Sequence, residues 1–217
     1  MCATKCPVDI DTGQLIKKLR ILQHSSLTRS VAKFSATHFS LSQSFIKTGL
    51  KLAKVTGKYP PAAKNEVLTL AQGDGPKVIY FSSCVNSVLA PESGKSTPKS
   101  VLSLLKKAGF HVLMPESPKS LCCGMPYESK GFDKSAKNKT LELQNSLWQL
   151  SDQGRIAIIC DNSPCSYHMI NTLTDKLKVL DAPSFFAQHL DLFKITKTQN
   201  SLLTFSVCSQ QKAGESA

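Results

Sequence analysis

The hydrophobic and polar positions divide the chain into a helical front and a back in which strands and helices alternate. In residues 14–58 apolar side chains recur at helical spacing, and Leu15, Ile16, Leu19 and Leu22 share one face of the predicted helix. From residue 77 onward, short apolar runs alternate with longer amphipathic segments. The runs predict strands over 78–81, 111–114, 155–160, 178–180 and 201–207, and the segments predict helices over 100–109, 132–153 and 183–190.

This alternation predicts an α/β fold with a mainly parallel sheet and flanking helices, preceded by a helical segment. Residues 59–76 contain Pro60-Pro61 and a glycine-containing QGDGP stretch, which is typical of a linker. We therefore divide the chain into a helical unit over 1–58, a linker over 59–76, an α/β domain over 77–200 and a tail over 201–217.

The cysteines of the back part stand where predicted strands end or predicted helices begin. Cys84, the pair Cys122-Cys123 and Cys165 occupy three such loops, which we expect to converge at one edge of a parallel sheet. A disulfide between adjacent cysteines is strained, so the pair is expected to direct its sulfurs at a common third group. A soft metal centre is the natural candidate, and the amino ends of helices stabilise thiolates.

Composition places the chain among intracellular proteins with metal or redox chemistry. Its 217 residues contain eight cysteines, 41% hydrophobic residues and a mean hydropathy of −0.12. No apolar run is long enough to span a bilayer, and no secretory signal precedes Cys2. We therefore expect a cytoplasmic location, in which cysteines serve metal or redox sites more often than disulfides.

The net charge of +12 is concentrated in the front third of the chain. Residues 1–70 have 11 Lys and Arg against three Asp and Glu. A solvated lysine-rich surface is the plain interpretation, and a docking face for an acidic partner or for the anionic inner face of a membrane is the alternative. Few aromatic residues and no nucleic-acid motif argue against nucleic acid as a partner.

The sequence Cys2-x3-Cys6-Pro7 resembles the end of the ferredoxin run C-x2-C-x2-C-x3-C-P. The first two cysteines of that run are absent here. The resemblance implies that residues 1–58 are a truncated ferredoxin-type tail, with Cys2 and Cys6 as ligands of a 4Fe-4S type cluster.

The pattern Cys84-x37-Cys122-Cys123-Gly124, followed by Ser163-Pro164-Cys165, resembles the cysteine-rich CCG domain. That domain occurs in heterodisulfide reductases, in the iron–sulfur subunits of glycolate oxidase and anaerobic glycerol-3-phosphate dehydrogenase, and in lactate-utilisation proteins. The resemblance implies that Cys84, Cys122, Cys123 and Cys165 bind an iron–sulfur cluster.

The closing pair departs from the heterodisulfide reductase pattern. Those proteins have C-x2-C, whereas here Cys160 and Cys165 are separated by four residues and Asn162 stands at the nearer cysteine position. Cys160 ends an apolar strand, so we expect it to be a buried small hydrophobic residue, with ligation as the alternative.

Longer strings resemble the C-terminal region of the large FAD-linked D-lactate dehydrogenases: LCCGMPYESKGF, DNSPCSYHM, and the segment from Asp181 to Leu190. In that family a flavin domain precedes the ferredoxin motif and a second CCG half follows. The segment around Cys208 resembles the opening of that second half, so residues 201–217 are interpreted as its truncated start, with Cys208 as a further candidate ligand. We accordingly expect this chain to be a fragment.

This resemblance implies electron relay from flavin to a quinone or a cytochrome, without substrate turnover by this chain alone. FAD would belong to a missing upstream domain or to a flavin-containing dehydrogenase partner, and no catalytic residue is assigned. Peripheral association with the inner face of the membrane follows as an option from the charge. Two alternatives stay open: a stand-alone subunit of the heterodisulfide reductase or lactate-utilisation type, and a non-redox zinc-binding remnant.

Overall fold

A computed structural model describes residues 12–53, 61–63, 68–91, 94–195 and 201. Three helices form the front: α1 (Thr12–Gln23), α2 (Ser26–Thr37) and α3 (Phe39–Ala53). Ser25 caps α2, because its side-chain oxygen accepts a hydrogen bond from the Thr28 N–H at 3.2 Å. The helical front predicted from the sequence is therefore confirmed where it is described, as three helices.

In the part of the chain that the structure describes, four strands form one parallel sheet: β1 (Lys77–Phe81), β2 (His111–Leu113), β3 (Ile158–Cys160) and β4 (Val179–Asp181). The strand predicted over 201–207 falls almost wholly outside the described residues. Their order across the sheet is β2-β1-β3-β4. The predicted α/β class with a parallel sheet and flanking helices is confirmed. The strands predicted over 111–114 and 155–160 are shorter than expected, because only three residues of each pair with a neighbouring strand.

Helices connect and cover the strands. They are α4 (Cys84–Val88), α5 (Thr97–Lys107), α6 (Met125–Glu128), α7 (Asp133–Leu150), α8 (Ser163–Thr172) and α9 (Ala182–Ala187), with short 3-10 turns at Pro118–Ser120 and Leu190–Leu192. Within the described ranges, none of these helices combines the length and the apolar character that crossing a membrane requires.

The core lies on both faces of the sheet, since side chains of a strand alternate between its faces. Val78 and Tyr80 face a cluster built with α5 and α9, and Ile79 and Phe81 face a second cluster built with α7 and α8. All four side chains are almost fully buried. Burial of each contributes about 1.5–3 kcal/mol, so the two-sided packing fixes β1 as the centre of the domain.

The strand order creates a crevice at the carboxyl ends of β1 and β3. From β1 the chain moves outward to β2 and then crosses back to β3 on the other side of β1. Parallel sheets bind ligands beside the carboxyl ends of the strands at such a reversal. The residues that follow Phe81 and Cys160 therefore line the place where a site is expected.

The front helix α1 has the opposite orientation from the one that its pattern would favour. Its predicted apolar face points outward, and Leu15, Leu19 and Leu22 are exposed. The inner face carries Lys17, whose ammonium lies 3.3 Å from Glu128 and 3.0 Å from Asp133. Polar contacts, and only a little apolar packing, thus hold this helix against the α/β domain.

Candidate metal centre

Three loops at the carboxyl edge of the sheet bring five cysteines together. Cys84 is the first residue of α4, directly after β1. Cys160 is the last residue of β3, and Cys165 lies in the first turn of α8. Cys122 and Cys123 follow the turn Pro118–Ser120 and precede α6. The loops predicted to converge do so.

The five thiols lie in a row in which each sulfur is close enough to its neighbour to shift the neighbour's pKa. The order along the row is Cys84, Cys122, Cys123, Cys165 and Cys160. All five are free thiols, so the adjacent pair forms no disulfide, as the geometry of neighbouring residues predicts. Four of them are buried and Cys84 is partly exposed. The row therefore runs from the rim of the crevice into the core.

Cys123 is the member of the row that most readily becomes a thiolate. Hydrogen bonds from Cys122 and then Cys165 hold the pKa of Cys123 below its usual range, against the opposing effect of burial. The hydrogen bond to Cys123, together with burial, raises the pKa of Cys122 to about 12. Hydrogen bonds within the row and burial also raise the pKa of Cys84 and Cys165. One buried thiolate is thus surrounded by thiol donors.

Backbone N–H groups of the tight turn also point at the sulfurs. The Gly124 N–H donates to the Cys122 sulfur at 3.4 Å, and the Met125 N–H donates to Cys123. Gly124 has φ of +95°, which disfavours a residue with a side chain. A Cβ there would lie 2.6 Å from the Thr140 hydroxyl and 2.7 Å from the Ala136 carbonyl oxygen. The glycine of the motif is required by both conformation and space.

Asp161 ties the Cys84 loop to the Cys160 loop. Its carboxylate accepts hydrogen bonds from the Tyr80 hydroxyl at 2.6 Å, the Ser82 hydroxyl at 3.2 Å and the Ser83 N–H at 2.8 Å. The Asn86 amide donates to the Asp161 carbonyl at 3.4 Å. Burial and the neighbouring carboxylate raise the pKa of Tyr80, so the phenol remains protonated as a donor. These bonds fix the crevice between β1 and β3.

The Cys122-Cys123 turn is held from behind by α7 and α3. The Thr140 hydroxyl donates to the Cys123 carbonyl at 2.9 Å, and the buried Lys139 ammonium donates to the Ser120 carbonyl at 2.9 Å. From α3, the Gln43 amide donates to the Lys119 carbonyl at 3.1 Å. The backbone on each side of the two cysteines therefore has a fixed position.

His168 lies beside the turn and is buried. Its Nδ1 is 3.0 Å from Glu128, which also contacts Lys17 of α1. Its Nε2 has no hydrogen-bond partner in the described part of the chain. Burial lowers the pKa of His168, so the ring is neutral at pH 7 and the contact with Glu128 is not an ion pair.

The front helices cover the cysteine edge. Tyr127, in α6, lies close to Cys122 and Cys84, and burial raises the pKa of its hydroxyl. Its hydroxyl is 3.3 Å from the Ser35 hydroxyl of α2, and its ring lies against Phe39 of α3, with centroids 6.4 Å apart. Helices α2 and α3 thus shield the outer end of the cysteine row from water.

The donor set fits a thiolate-bound metal centre in its chemistry. Soft thiolates from Cys84, Cys122, Cys123 and Cys165 suit an iron–sulfur cluster and also suit zinc. In the described ranges, however, no three Cys, His, Asp or Glu side chains stand in an arrangement that could hold a metal ion. The fit therefore rests on donor chemistry and on proximity, and the coordination geometry is not defined.

Residues 78–170 match the family model of the cysteine-rich domain CCG. The chain carries a CCG domain. The matched segment contains Cys84, Cys122, Cys123, Cys160 and Cys165. No curated protein and no solved structure matches the chain. The family match supports a metal-binding, iron–sulfur character for the domain, and ligation by each named cysteine stays a prediction.

Three further candidate ligands fall outside the part of the chain that the structure describes. Cys2 and Cys6, in the ferredoxin-like motif, and Cys208, in the tail, are outside the described residues and outside the matched CCG segment. Cys160 is fully buried at the end of β3, and its thiol lies 3.8 Å from the Asn162 carbonyl oxygen, which it can reach as a weak donor. The position of Cys160 agrees with the buried small residue expected from the sequence.

Proposed function

We propose that the chain is an iron–sulfur electron-transfer module of an FAD-dependent D-lactate or related 2-hydroxy acid dehydrogenase. The observation that carries this proposal is the row of cysteines drawn from three loops at the carboxyl edge of a parallel sheet, within a CCG domain. A cluster bound there would accept and release single electrons. The chain itself would supply thiolates, dry surroundings and fixed backbone donors.

Each part of the site has a distinct task in this proposal. Cys123 would provide the first thiolate, since its neighbours already donate hydrogen bonds to it. The Gly124 and Met125 N–H groups would stabilise negative charge on the sulfurs. Tyr127 and the helices behind it would limit access of water to the centre.

The dehydrogenase assignment is supported by sequence features outside the CCG match. Cys2-x3-Cys6-Pro7 precedes the domain, and the segment from Asp181 to Leu190 follows it, in the order found in FAD-linked D-lactate dehydrogenases. In this assignment a flavin-containing domain or subunit takes the electrons from the 2-hydroxy acid. The module then passes them to a quinone or a cytochrome.

Metal analysis of the intact chain purified without oxygen tests the cluster. We expect iron and inorganic sulfide, a broad visible absorption and its loss on reduction. Cys123→Ser should remove most of the iron, whereas Cys160→Ala should retain it if Cys160 only packs. Zinc without iron in the parent chain would contradict the electron-transfer proposal and support a zinc-binding remnant.

The dehydrogenase assignment needs a separate test with a flavin partner. The iron-loaded chain alone should not be reduced by D-lactate. Mixed with a flavoprotein that oxidises 2-hydroxy acids and is encoded beside it, the cluster absorption should bleach when D-lactate is added. Turnover of a disulfide substrate by the chain alone would instead identify it as a heterodisulfide reductase type of subunit.

A further inference from the structure

The three front helices expose apolar stripes on the sides that face away from the α/β domain. Eleven of the eighteen exposed large hydrophobic residues of the described ranges belong to α1–α3. Each helix has its stripe at helical spacing: Leu15, Leu19 and Leu22; Leu27, Val31 and Phe34; Leu41, Phe45 and Leu52. Their exposure runs from 46% to 81%. Rows of exposed apolar side chains at helical spacing give each helix a continuous apolar stripe, and apolar stripes are a feature of helices that bind another surface.

The inner faces of the same helices explain why the stripes point outward. Ala32 and Ala36 of α2 and Gln43 of α3 are buried against the domain, on the opposite sides of their helices from Phe34 and Phe45. In α1, Lys17 marks the side that faces the domain, because it contacts Glu128 and Asp133 there. The stripes are therefore a second, separate surface of each helix.

The charge of these helices selects the kind of partner. Residues 12–53 contain seven Lys and Arg and no Asp or Glu. Lys18 and Lys51 are exposed and stand beside the stripes on α1 and α3, whereas the exposed Arg29 and Lys33 lie on the other side of α2 from its stripe. Exposed apolar side chains flanked by cations are typical of helices that lie in the interface of an anionic membrane.

We propose that the outward faces of α1–α3 dock on the surface of an anionic phospholipid bilayer. A second copy of the chain would bring two cationic surfaces together without any acidic residue in these helices to offset them. An anionic bilayer can bind both the apolar stripes and the positive charge of these helices. Leu and Phe would enter the interface beside the acyl chains, and Lys and Arg would contact the headgroup phosphates. This proposal is independent of the metal content of the site.

Docking in this way would place the cysteine edge close to the membrane. The inner sides of α2 and α3 contact Tyr127 and the Lys119 carbonyl beside the cysteine turn. Only the thickness of one helix, about 10 Å, separates the inner side from the outer stripes. As a consequence that rests on the proposed function and not on docking alone, a centre held by the cysteine row would lie about one helix diameter from the bilayer surface.

Binding to vesicles tests the proposal with the full chain. We expect cosedimentation with vesicles of phosphatidylcholine and phosphatidylglycerol, and little with phosphatidylcholine alone. Raising the salt concentration should weaken binding, because the cations contribute through long-range attraction. Failure of the folded chain to bind anionic vesicles at low salt would overturn the proposal.

Matched variants separate the two components of the surface. Leu27→Gln and Phe45→Gln should each weaken vesicle binding roughly tenfold, because each removes a side chain that enters the interface. The double variant Lys18→Gln with Lys51→Gln should lose about fivefold per cation. Circular dichroism should show unchanged helix content, since all four side chains are exposed.

Controls on other surfaces complete the test. Ile195→Gln removes an equally exposed apolar side chain, and Lys134→Gln with Lys137→Gln removes two exposed cations of α7. We expect these variants to bind vesicles like the parent chain. Equal loss in the controls would mean nonspecific attraction by net charge and would overturn the proposal. A concentration-dependent dimer abolished by Leu27→Gln would instead assign the surface to self-association, which also overturns it.

Discussion

The Cys123 side chain contacts both apolar core residues and polar thiol groups. It is packed in the apolar cluster with Ile79, Leu143 and Met169, and it accepts hydrogen bonds from two neighbouring thiols. A thiolate in such a place receives no stabilisation from bulk water. Its stability depends on the donors that the turn provides, so single residues that shape the turn should affect metal content more than their surface area implies.

Gly124→Ala should disrupt the turn more than a comparable change elsewhere. The new Cβ would clash with Thr140 and Ala136 at a φ of +95°, so we expect a loss of at least about 3 kcal/mol in the free energy of unfolding and poor iron loading. Gly94→Ala is the matched control, with φ of +83° and open space around the Cβ. It should cost about 1 kcal/mol, and equal effects in urea unfolding would contradict this account.

Asp161→Ala should destabilise the crevice by about 3 kcal/mol. It removes the acceptor of the fully buried Tyr80 hydroxyl and of the Ser83 N–H, which then lack a partner. Urea unfolding of this variant can be compared with Asp175→Ala, which changes an exposed carboxylate and should cost less than about 0.5 kcal/mol. Similar unfolding midpoints for both variants would show that the network contributes little.

The cysteines could be placed from the sequence, but their supports could not. Spacing and the ends of apolar runs locate Cys84, Cys122, Cys123 and Cys165, since strand ends in a parallel sheet share an edge. The hydrogen bond between Asp161 and Tyr80 joins residues that are 81 positions apart in the sequence, and the one between Thr140 and Cys123 joins residues that are 17 positions apart. No local sequence pattern predicts such hydrogen-bonded pairs, because they depend on how the helices pack against the sheet.

Among the elements, α7 makes two of the hydrogen bonds that fix the cysteine turn, and α3 makes a third. The buried Lys139 ammonium of α7 bonds to the Ser120 carbonyl, pairs with Glu142 and lies 5.2 Å from the centre of the Phe39 ring of α3. A buried ammonium is favourable only when such partners surround it. One side chain thereby connects the turn, α7 and α3.

Lys139→Ala should loosen the turn and lower stability by about 2 kcal/mol, because the Ser120 carbonyl loses its donor and a buried side chain leaves space. Lys137→Ala, in the same helix, changes an exposed lysine and should be close to neutral. Thermal unfolding measures both changes. A neutral Lys139→Ala would show that Thr140 and Gln43 suffice to hold the turn.

Periodicity predicted which elements exist, and it failed where packing decides. The helix over 132–153 is found as Asp133–Leu150. Leu147 packs in the core as its spacing implies, whereas Leu141 is exposed and Leu143 is buried. In α1 the strongest apolar spacing marks the exposed side, because the domain offers Glu128 and Asp133 for Lys17 to contact. A sequence pattern shows that a helix has two faces, and the neighbours decide which one is buried.

For the molecule as a whole, stability is concentrated at β1 and β3. Both strands are interior to the sheet, and all their residues except Lys77 are buried. The front helix α1 is held by half-exposed ion pairs and by the Arg20 contact with the Ser129 carbonyl at 2.6 Å. Exposed ion pairs contribute little, so the front should open without unfolding the sheet.

Hydrogen exchange followed by mass spectrometry should separate these two regions. Amides of Lys77–Phe81 and Ile158–Cys160 should exchange at least about 100-fold more slowly than those of Thr12–Gln23, which corresponds to about 2.7 kcal/mol. Vesicles should be absent from this measurement, because docking would protect the front. Equal protection of α1 and β1 would indicate that the chain unfolds as one unit.

The three loops that carry the cysteines are far apart along the chain, with 37 residues between Cys84 and Cys122 and 41 between Cys123 and Cys165. Any inorganic centre bound by all three loops would cross-link them and reduce the conformational entropy of the unfolded chain. Closing a ring of about forty residues raises stability by about 4 kcal/mol through chain entropy alone. Loss of the metal would then weaken the entire domain, and chelation would expose the polypeptide to proteases far from the sulfurs.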